Sequence, residues 1–359
     1  MSDQHRYLII AEGAFGPETS KTANSAIRYL PGRVVGVLDS QVPGRTSREV
    51  LGFGGDIPVV RSIEEGFALN PTAVLIGIAP AGGQLPAEWR GWILAAIDRG
   101  LHVWSGLHTV LGNDPELAAR AREKGVAITD ARRPPPHLAV SNGLAAQVDA
   151  FVVLSVGSDC NVGKLTAQLE LIRGLEQRGL RTRFAATGQT GMLIAGWGLA
   201  VDAVVADFIG GATEQLVLQA AQDADVVLVE GQGSLIHPGY SGVTLGLMHG
   251  ACPRAMILCH QPSREFIGDH SITRPAWVRI PPLPELVRIY EDAARPVFPS
   301  KVIGIALNTY DLSAAAAKAA LAVAQHETGL PAADPVRFDP APLVDAVVRA
   351  RALVAKPPA

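Results

Sequence analysis

Cysteine is scarce in this chain: Cys160, Cys252 and Cys259 are the three among 359 residues. They are too few and too scattered for a disulfide framework or a paired Cys-x-x-Cys zinc site, and they fit a reducing cytoplasm. Charge is sparse as well, at 18% of residues, with a formal net charge of -3 and a pI near 6.3. Such a balance supplies no basic field, which excludes nucleic acid or an anionic membrane surface as the main partner and makes any anion site local. No apolar run approaches the roughly 20 residues that cross a bilayer. The N-terminal Met-Ser-Asp-Gln-His-Arg leads straight into a short apolar run at 7–11, without the h-region or cleavage site of a signal peptide. The expectation is a cytoplasmic protein that meets neither membrane nor nucleic acid. What the chain does have is apolar content, 48% of residues, enough for well-buried cores. Its length favours two domains.

The first part alternates short apolar runs with helical patterns. Strands are expected at 7–11, 34–38, 57–60, 73–78, 101–104 and 126–128, each bounded by Gly, Pro or Asp. Helical stretches at 88–99 and 115–124 stop at Gly100 and Gly125, glycines suited to a left-handed cap. Alternation of this kind implies a parallel sheet covered by helices on both faces. The run Arg132-Arg133-Pro134-Pro135-Pro136-His137 interrupts it, since three prolines continue neither a helix nor a central strand. We place the domain boundary there, giving a Rossmann-like domain at 1–137 and a second α/β domain at 138–359. The second domain has strands expected at 183–186, 226–229, 255–258 and 302–307. Its helices are expected at 164–178 and at 313–328, the latter capped by Ser313 and ended by Gly329. Prolines near 281–284 read as a surface connection.

Directly after the apolar run 151–156 comes Gly157-Ser158-Asp159-Cys160-Asn161-Val162-Gly163-Lys164, followed by the amphipathic stretch that begins at Leu165 and Thr166. A strand, a glycine-bearing loop ending in Gly-Lys and a helix make a phosphate cradle: backbone N–H groups and a helix N-terminus face the anion, and the ammonium neutralises it. The candidate phosphate-binding residues are Gly157, Ser158, Asp159, Asn161, Val162, Gly163, Lys164, Leu165 and Thr166. The spacing is one residue longer than the common G-x4-G-K-[ST] pattern and resembles the loop of dethiobiotin synthetase. Leu165 stands where that loop has a hydroxyl to ligate Mg²⁺. Thr166 lies a further 100° around the helix, out of register for the same job. A diphosphate that is held without being cleaved suits such a loop, and no tightly bound metal is expected.

Further signatures fall at the ends of later strands. Val226-Val227-Leu228-Val229-Glu230-Gly231-Gln232-Gly233-Ser234 delivers Glu230 to a sheet edge, where it orients a cation, accepts a proton or serves as a buried helix cap. The segment 234–242 carries Ser234, His237, Tyr240 and Ser241 between glycines and reads as a substrate loop. Arg264 suits a carboxylate clamp or a salt bridge. Asp207 to Glu214 is a second anion nest or a helix cap. Gly13-Ala14-Phe15-Gly16-Pro17 is not a dinucleotide fingerprint.

Together these motifs resemble a two-domain family of bacterial and archaeal proteins, long catalogued as a domain of unknown function, that includes D-glutamate N-acetyltransferases of the DgcN type. The resemblance rests on Gly157 to Lys164, Gly188-Gln189-Thr190-Gly191, Asp207-Phe208 with Gly210, Val229 to Ser234, His237-Pro238, Tyr240-Ser241-Gly242, Asn308-Thr309, Lys21-Thr22-Ala23 and Leu107-His108. It implies a Rossmann-like domain followed by a P-loop NTPase-like domain, acetyl-CoA as donor, D-glutamate as acceptor and a homodimer. Acetyl transfer leaves the phosphates of coenzyme A intact, which agrees with Leu165. On this reading Glu230 and His237 are candidate general bases, and N–H groups at 231–234 are candidate oxyanion donors. Arg264 takes the substrate carboxylate, beside Ser234, Tyr240 and Ser241. An ATP-dependent ligase or kinase of the dethiobiotin synthetase type is the alternative, and a nucleotide-sensing module a third.

Overall fold

The computed structural model of the chain describes residues 5–78, 83–268 and 278–354. The chain divides into two compact units, Met1–Arg133 with Met192–Gly196 and Pro134–Gly191 with Trp197–Ala359.

The first unit is built on a six-stranded sheet: β1 (Tyr7–Ile10), β2 (Val34–Leu38), β3 (Val59–Val60), β4 (Ala73–Ile76), β5 (His102–Ser105) and β6 (Ile128–Asp130). All pairings are parallel, in the order β3-β2-β1-β4-β5-β6. That is the Rossmann order, in which helices pack on both faces, so β1 and β4 are buried along their whole length. The helix Pro115–Lys124 has the expected limits. Asp114 caps it by accepting N–H bonds from Glu116 and Leu117, and Gly125 ends it at φ 67°.

The second unit repeats the scheme with β7 (Phe151–Gly157), β8 (Thr182–Ala185), β9 (Val226–Val229), β10 (Ala255–His260), β11 (Lys301–Leu307) and β12 (Ala332–Ala333). They run parallel in the order β12-β11-β10-β7-β9-β8. From β7 the chain crosses to the far edge at β8 and returns to β9 beside β7. It then passes to β10 on β7's other flank. Such a reversal opens a crevice at the carboxyl end of the central strand. The connections after β7, β9 and β10 meet there.

Three stretches depart from the sequence expectation. Leu283–Ala294 is a helix with proline in its first turn, not a surface connection, because proline is pre-organised where the N–H needs no helical partner. The helix Ser241–Ala251 begins inside the expected substrate loop, and Asp207 to Glu214 runs largely into the helix Ile209–Ala220. Glycines inside these two helices are contact points. A Cβ on Gly250 would stand 2.1 Å from the Gly210 carbonyl oxygen, and one on Gly246 would stand 2.9 Å from Ile209 Cγ2. Close approach of the two helices outweighs glycine's helix penalty of about 1 kcal/mol.

Candidate functional site

β7 ends at Gly157, and the helix Lys164–Gln177 begins seven residues later, its N-terminus at Gly163 carrying no side-chain cap. Asn161 at φ 54° and Gly163 at φ 97° fold the loop between them. The uncapped first-turn N–H groups are the donors an anion needs. Lys164, 7% exposed, curls back so that Nζ donates to the Asp159 carbonyl at 2.7 Å. Leu165 is buried, so the position that would hold Mg²⁺ is an apolar plug.

Ser158, Asp159 and Cys160 are held by hydrogen bonds. The Ser158 N–H donates to the Cys259 carbonyl, and Ser158 Oγ meets His260 Nδ1 at 2.9 Å. Burial, then the Arg264 charge, holds His260 down at about 4, so the ring is neutral at physiological pH. Asp159 is fully buried. Its Oδ1 accepts the Cys160 N–H at 2.7 Å, and its Oδ2 accepts Arg264 Nη1 at 2.8 Å and the Gly268 N–H at 3.1 Å. The same Nη1 donates to the Cys160 carbonyl at 2.8 Å. Arg264, expected to hold a substrate carboxylate, thus grips the phosphate loop itself.

Glu230 follows β9 and is 2% exposed. Its Oε2 accepts the N–H groups of Thr187 (3.1 Å) and Gly188 (3.0 Å), just ahead of the helix Gln189–Ala195, and its carbonyl accepts Thr187 Oγ1 at 2.6 Å. This is the capping arrangement that the sequence left open beside acid–base chemistry. It explains the motif Gly188-Gln189-Thr190-Gly191, because a Cβ on Gly191 would stand 2.3 Å from Glu230 Oε2. Gly231 passes so close to β7 that a Cβ there would lie 1.7 Å from the Ser155 carbonyl oxygen; its N–H donates to Ser155 Oγ at 2.9 Å.

The segment after β9 comes back to the loop. His237 stacks on Tyr240 with ring centroids 4.5 Å apart, and its Nδ1 accepts the Gly239 N–H at 3.1 Å. Nδ1 is thereby the acceptor nitrogen of the ring. Ser241 opens the helix Ser241–Ala251, while Ser234 is buried against Tyr290.

Tyr290 and Gln168 organise the site without forming any motif. Tyr290 is fully buried, with its phenol held above the ordinary range by burial; it donates to the Gly157 carbonyl at 2.7 Å and accepts the Leu235 N–H at 3.1 Å. Gln168 Nε2 donates to the carbonyls of Val153 (3.2 Å) and Val229 (2.9 Å), joining β7 to β9 beneath the loop. A tyrosine in an amphipathic helix and a glutamine among leucines carry no local signal. Asn308, paired through its N–H to the His260 carbonyl, borders the loop, since a Cβ on Gly163 would lie 3.7 Å from its Cβ.

In the first unit the acid at the end of β2 is Asp39, where dinucleotide-binding folds place the ribose ligand. Its oxygens accept the N–H groups of Gly13, Phe15 and Gln41, which spends the carboxylate on the loop after β1.

Residues 139–344 match the P-loop domain of a domain of unknown function, DUF1611, and residues 40–134 match its Rossmann-like domain. The chain belongs to the DUF1611 family. A DUF1611 family protein from Anabaena variabilis, known from its crystal structure, is 39% identical with a TM-score of 0.91, covering 96% of this chain and all of that one. A D-glutamate N-acetyltransferase of Tritonibacter scottomollicae is 38% identical over 289 residues, 80% of this chain and 84% of its own length. A second protein of that name, from a Pseudoalteromonas species, is 34% identical over 277 residues, 77% of this chain and 81% of its own. The two parallel sheets are thus the Rossmann-like and P-loop sheets of DUF1611.

Proposed function

We propose that this protein is an N-acetyltransferase that moves an acetyl group from acetyl-CoA to the amine of a small acidic amino acid, D-glutamate. The acceptor comes from the two relatives named D-glutamate N-acetyltransferase, which this chain matches over most of their length. One observation carries the donor. The phosphate loop keeps an uncapped helix N-terminus and Lys164 while burying Leu165 where a hydrolase needs a metal-binding hydroxyl. Phosphates held but not cleaved are what an acyl carrier presents.

In the reaction the amine nitrogen, once deprotonated, attacks the thioester carbonyl. The tetrahedral oxyanion collapses with departure of the coenzyme A thiolate, which takes up a proton. The pantetheine arm is about as long as four extended residues, so the thioester lies roughly 14 Å from a diphosphate seated in the loop. Glu230 and His237, whose segments adjoin the loop, therefore sit at the phosphate end. On this reading they shape the carrier site, and the base for the amine lies further along the arm.

Isothermal titration with coenzyme A, ATP and GTP, with a thiol-release assay on acetyl-CoA against D- and L-amino acids, tests the reading. Coenzyme A binding and turnover with D-glutamate are expected. Tight ATP binding with Mg²⁺-dependent phosphate release and no response to coenzyme A overturns it in favour of a ligase of the dethiobiotin synthetase type.

A further inference from the structure

One cluster of metal-ligating side chains lies on the phosphate loop, among the described residues. A carboxylate oxygen of Asp159, Sγ of Cys160 and a ring nitrogen of His237 lie within 4.8 Å of one another. We propose that these three side chains bind a borderline-soft divalent cation, Zn²⁺ first among them, at the phosphate end of the site. This departs from the metal-free site expected from the sequence. It stands on the cluster alone and does not depend on the acetyl-transfer reading.

The donor set selects the ion. A thiolate, an imidazole and one carboxylate oxygen suit Zn²⁺ or its Co²⁺ substitute, whereas Mg²⁺ takes oxygen donors in near-octahedral geometry and keeps much of its water. Asp159 is the fixed ligand: it is fully buried, and Arg264 and the Gly268 N–H hold Oδ2. Among the described residues, Oδ1 accepts only the Cys160 N–H, which leaves a lone pair for a metal. Such support of a ligating carboxylate is what orients a metal site. Cys160 and His237 are half-buried and able to close on the ion. Bonds of 2.0–2.3 Å in a tetrahedron separate ligand atoms by about 3.3–3.8 Å, so closure asks for about 1 Å of movement.

On binding, the Cys160 thiol releases its proton to solvent, and His237 gives up its exposed bond from the Gly239 N–H so that both ring nitrogens have compatible roles. Three protein ligands leave a fourth tetrahedral position for water or a ligand oxygen. The loop that lost its metal-binding hydroxyl at Leu165 thereby regains a cation through a different donor set. Asp159 and Cys160 are adjacent but His237 comes from a distant segment, which is why no spacing motif announces the site.

The test uses the full-length chain, stripped with a chelator and titrated with Co²⁺ alone. Tetrahedral thiolate ligation gives a sulfur-to-cobalt charge-transfer band and intense visible d–d bands, and we expect both to saturate at one equivalent. C160S should abolish the charge-transfer band. H237Q should weaken Zn²⁺, measured by competition for the Co²⁺ signal, by about 10-fold or more. Cys252 and Cys259 are buried and cannot substitute. Thermal melts of C160S and C160A check that each variant folds, and the band is read from whichever does. Absence of the charge-transfer band from the unaltered protein, or its survival in a folded Cys160 variant, overturns the proposal. Coenzyme A takes no part, so failure of the acetyl-transfer reading leaves this result standing.

Discussion

Removing Arg264 separates two roles that its sequence position allows. Arg264 and Asp159 form an ion pair at 2.8 Å whose side chains are 10% and 0% exposed, and the same guanidinium nitrogen fixes the Cys160 carbonyl. Arg264→Met keeps an unbranched apolar stem but leaves the Asp159 carboxylate buried without a cation. Stranding one partner of a buried pair costs about 3–5 kcal/mol. Two backbone N–H bonds, from Cys160 and Gly268, remain on Asp159, so we expect the low end, about 3 kcal/mol. For a unit of this size that lowers the melting temperature by about 6–12 °C. Thermal unfolding followed by circular dichroism at pH 7 measures it. The double variant Asp159→Asn/Arg264→Met removes the stranded charge and should recover at least half of the loss. A fall below about 2 °C, accompanied by a raised KM for the acceptor, would refute the loop-lock assignment and restore Arg264 as a substrate clamp.

Other perturbations report on neighbouring parts of the site. Gly231→Ala drives a Cβ to 1.7 Å from the Ser155 carbonyl oxygen, backbone against backbone. Overpacking of this kind costs about 3 kcal/mol or more, visible as loss of soluble protein or a lowered denaturant midpoint. Lys164→Ala removes a charge-assisted partner for phosphate worth about 1.5–3 kcal/mol, so coenzyme A should bind roughly 10- to 150-fold more weakly by titration calorimetry. His260, held at about 4 against an ordinary 6.5, stays neutral in the folded chain while its unfolded counterpart takes a proton first. Between those values the unfolded state binds more protons, so stability falls as pH drops from 6.5 towards 4, by about 3 kcal/mol in full. Denaturant titrations across that window should show the slope, and His260→Gln should flatten it.

Local pattern carried much of the architecture. The limits of Pro115–Lys124 and Val226–Val229 were readable from caps and from an apolar run between turn residues. A parallel strand buried on both faces is apolar throughout, so β7 and β9 announce themselves, and the Gly-Lys loop follows directly from β7. Glycine was the weak point. At 210 and at 239–242 it suggests an anion nest or a substrate loop, but in the folded unit glycine permits contact between Gly210 and Gly250. Propensity is a property of one residue, whereas that contact belongs to two helices. The proline near 284 misled in the same way, since only the course of the chain shows that it starts a helix.

The sequence by itself determined that a glycine-bearing loop ending in Gly-Lys leads from β7 into a helix and that Leu165 stands where the usual loop has a hydroxyl, because both facts lie in contiguous residues with fixed backbone consequences. Only the tertiary structure decided what the remaining groups do. Glu230 caps the turn at Thr187 and Gly188, Arg264 locks Asp159, Tyr290 ties Gly157 to Leu235, and His237 arrives beside Cys160. These partners are distant in the chain and meet because β7 lies between β9 and β10, so that the loops leaving the three strands share one crevice.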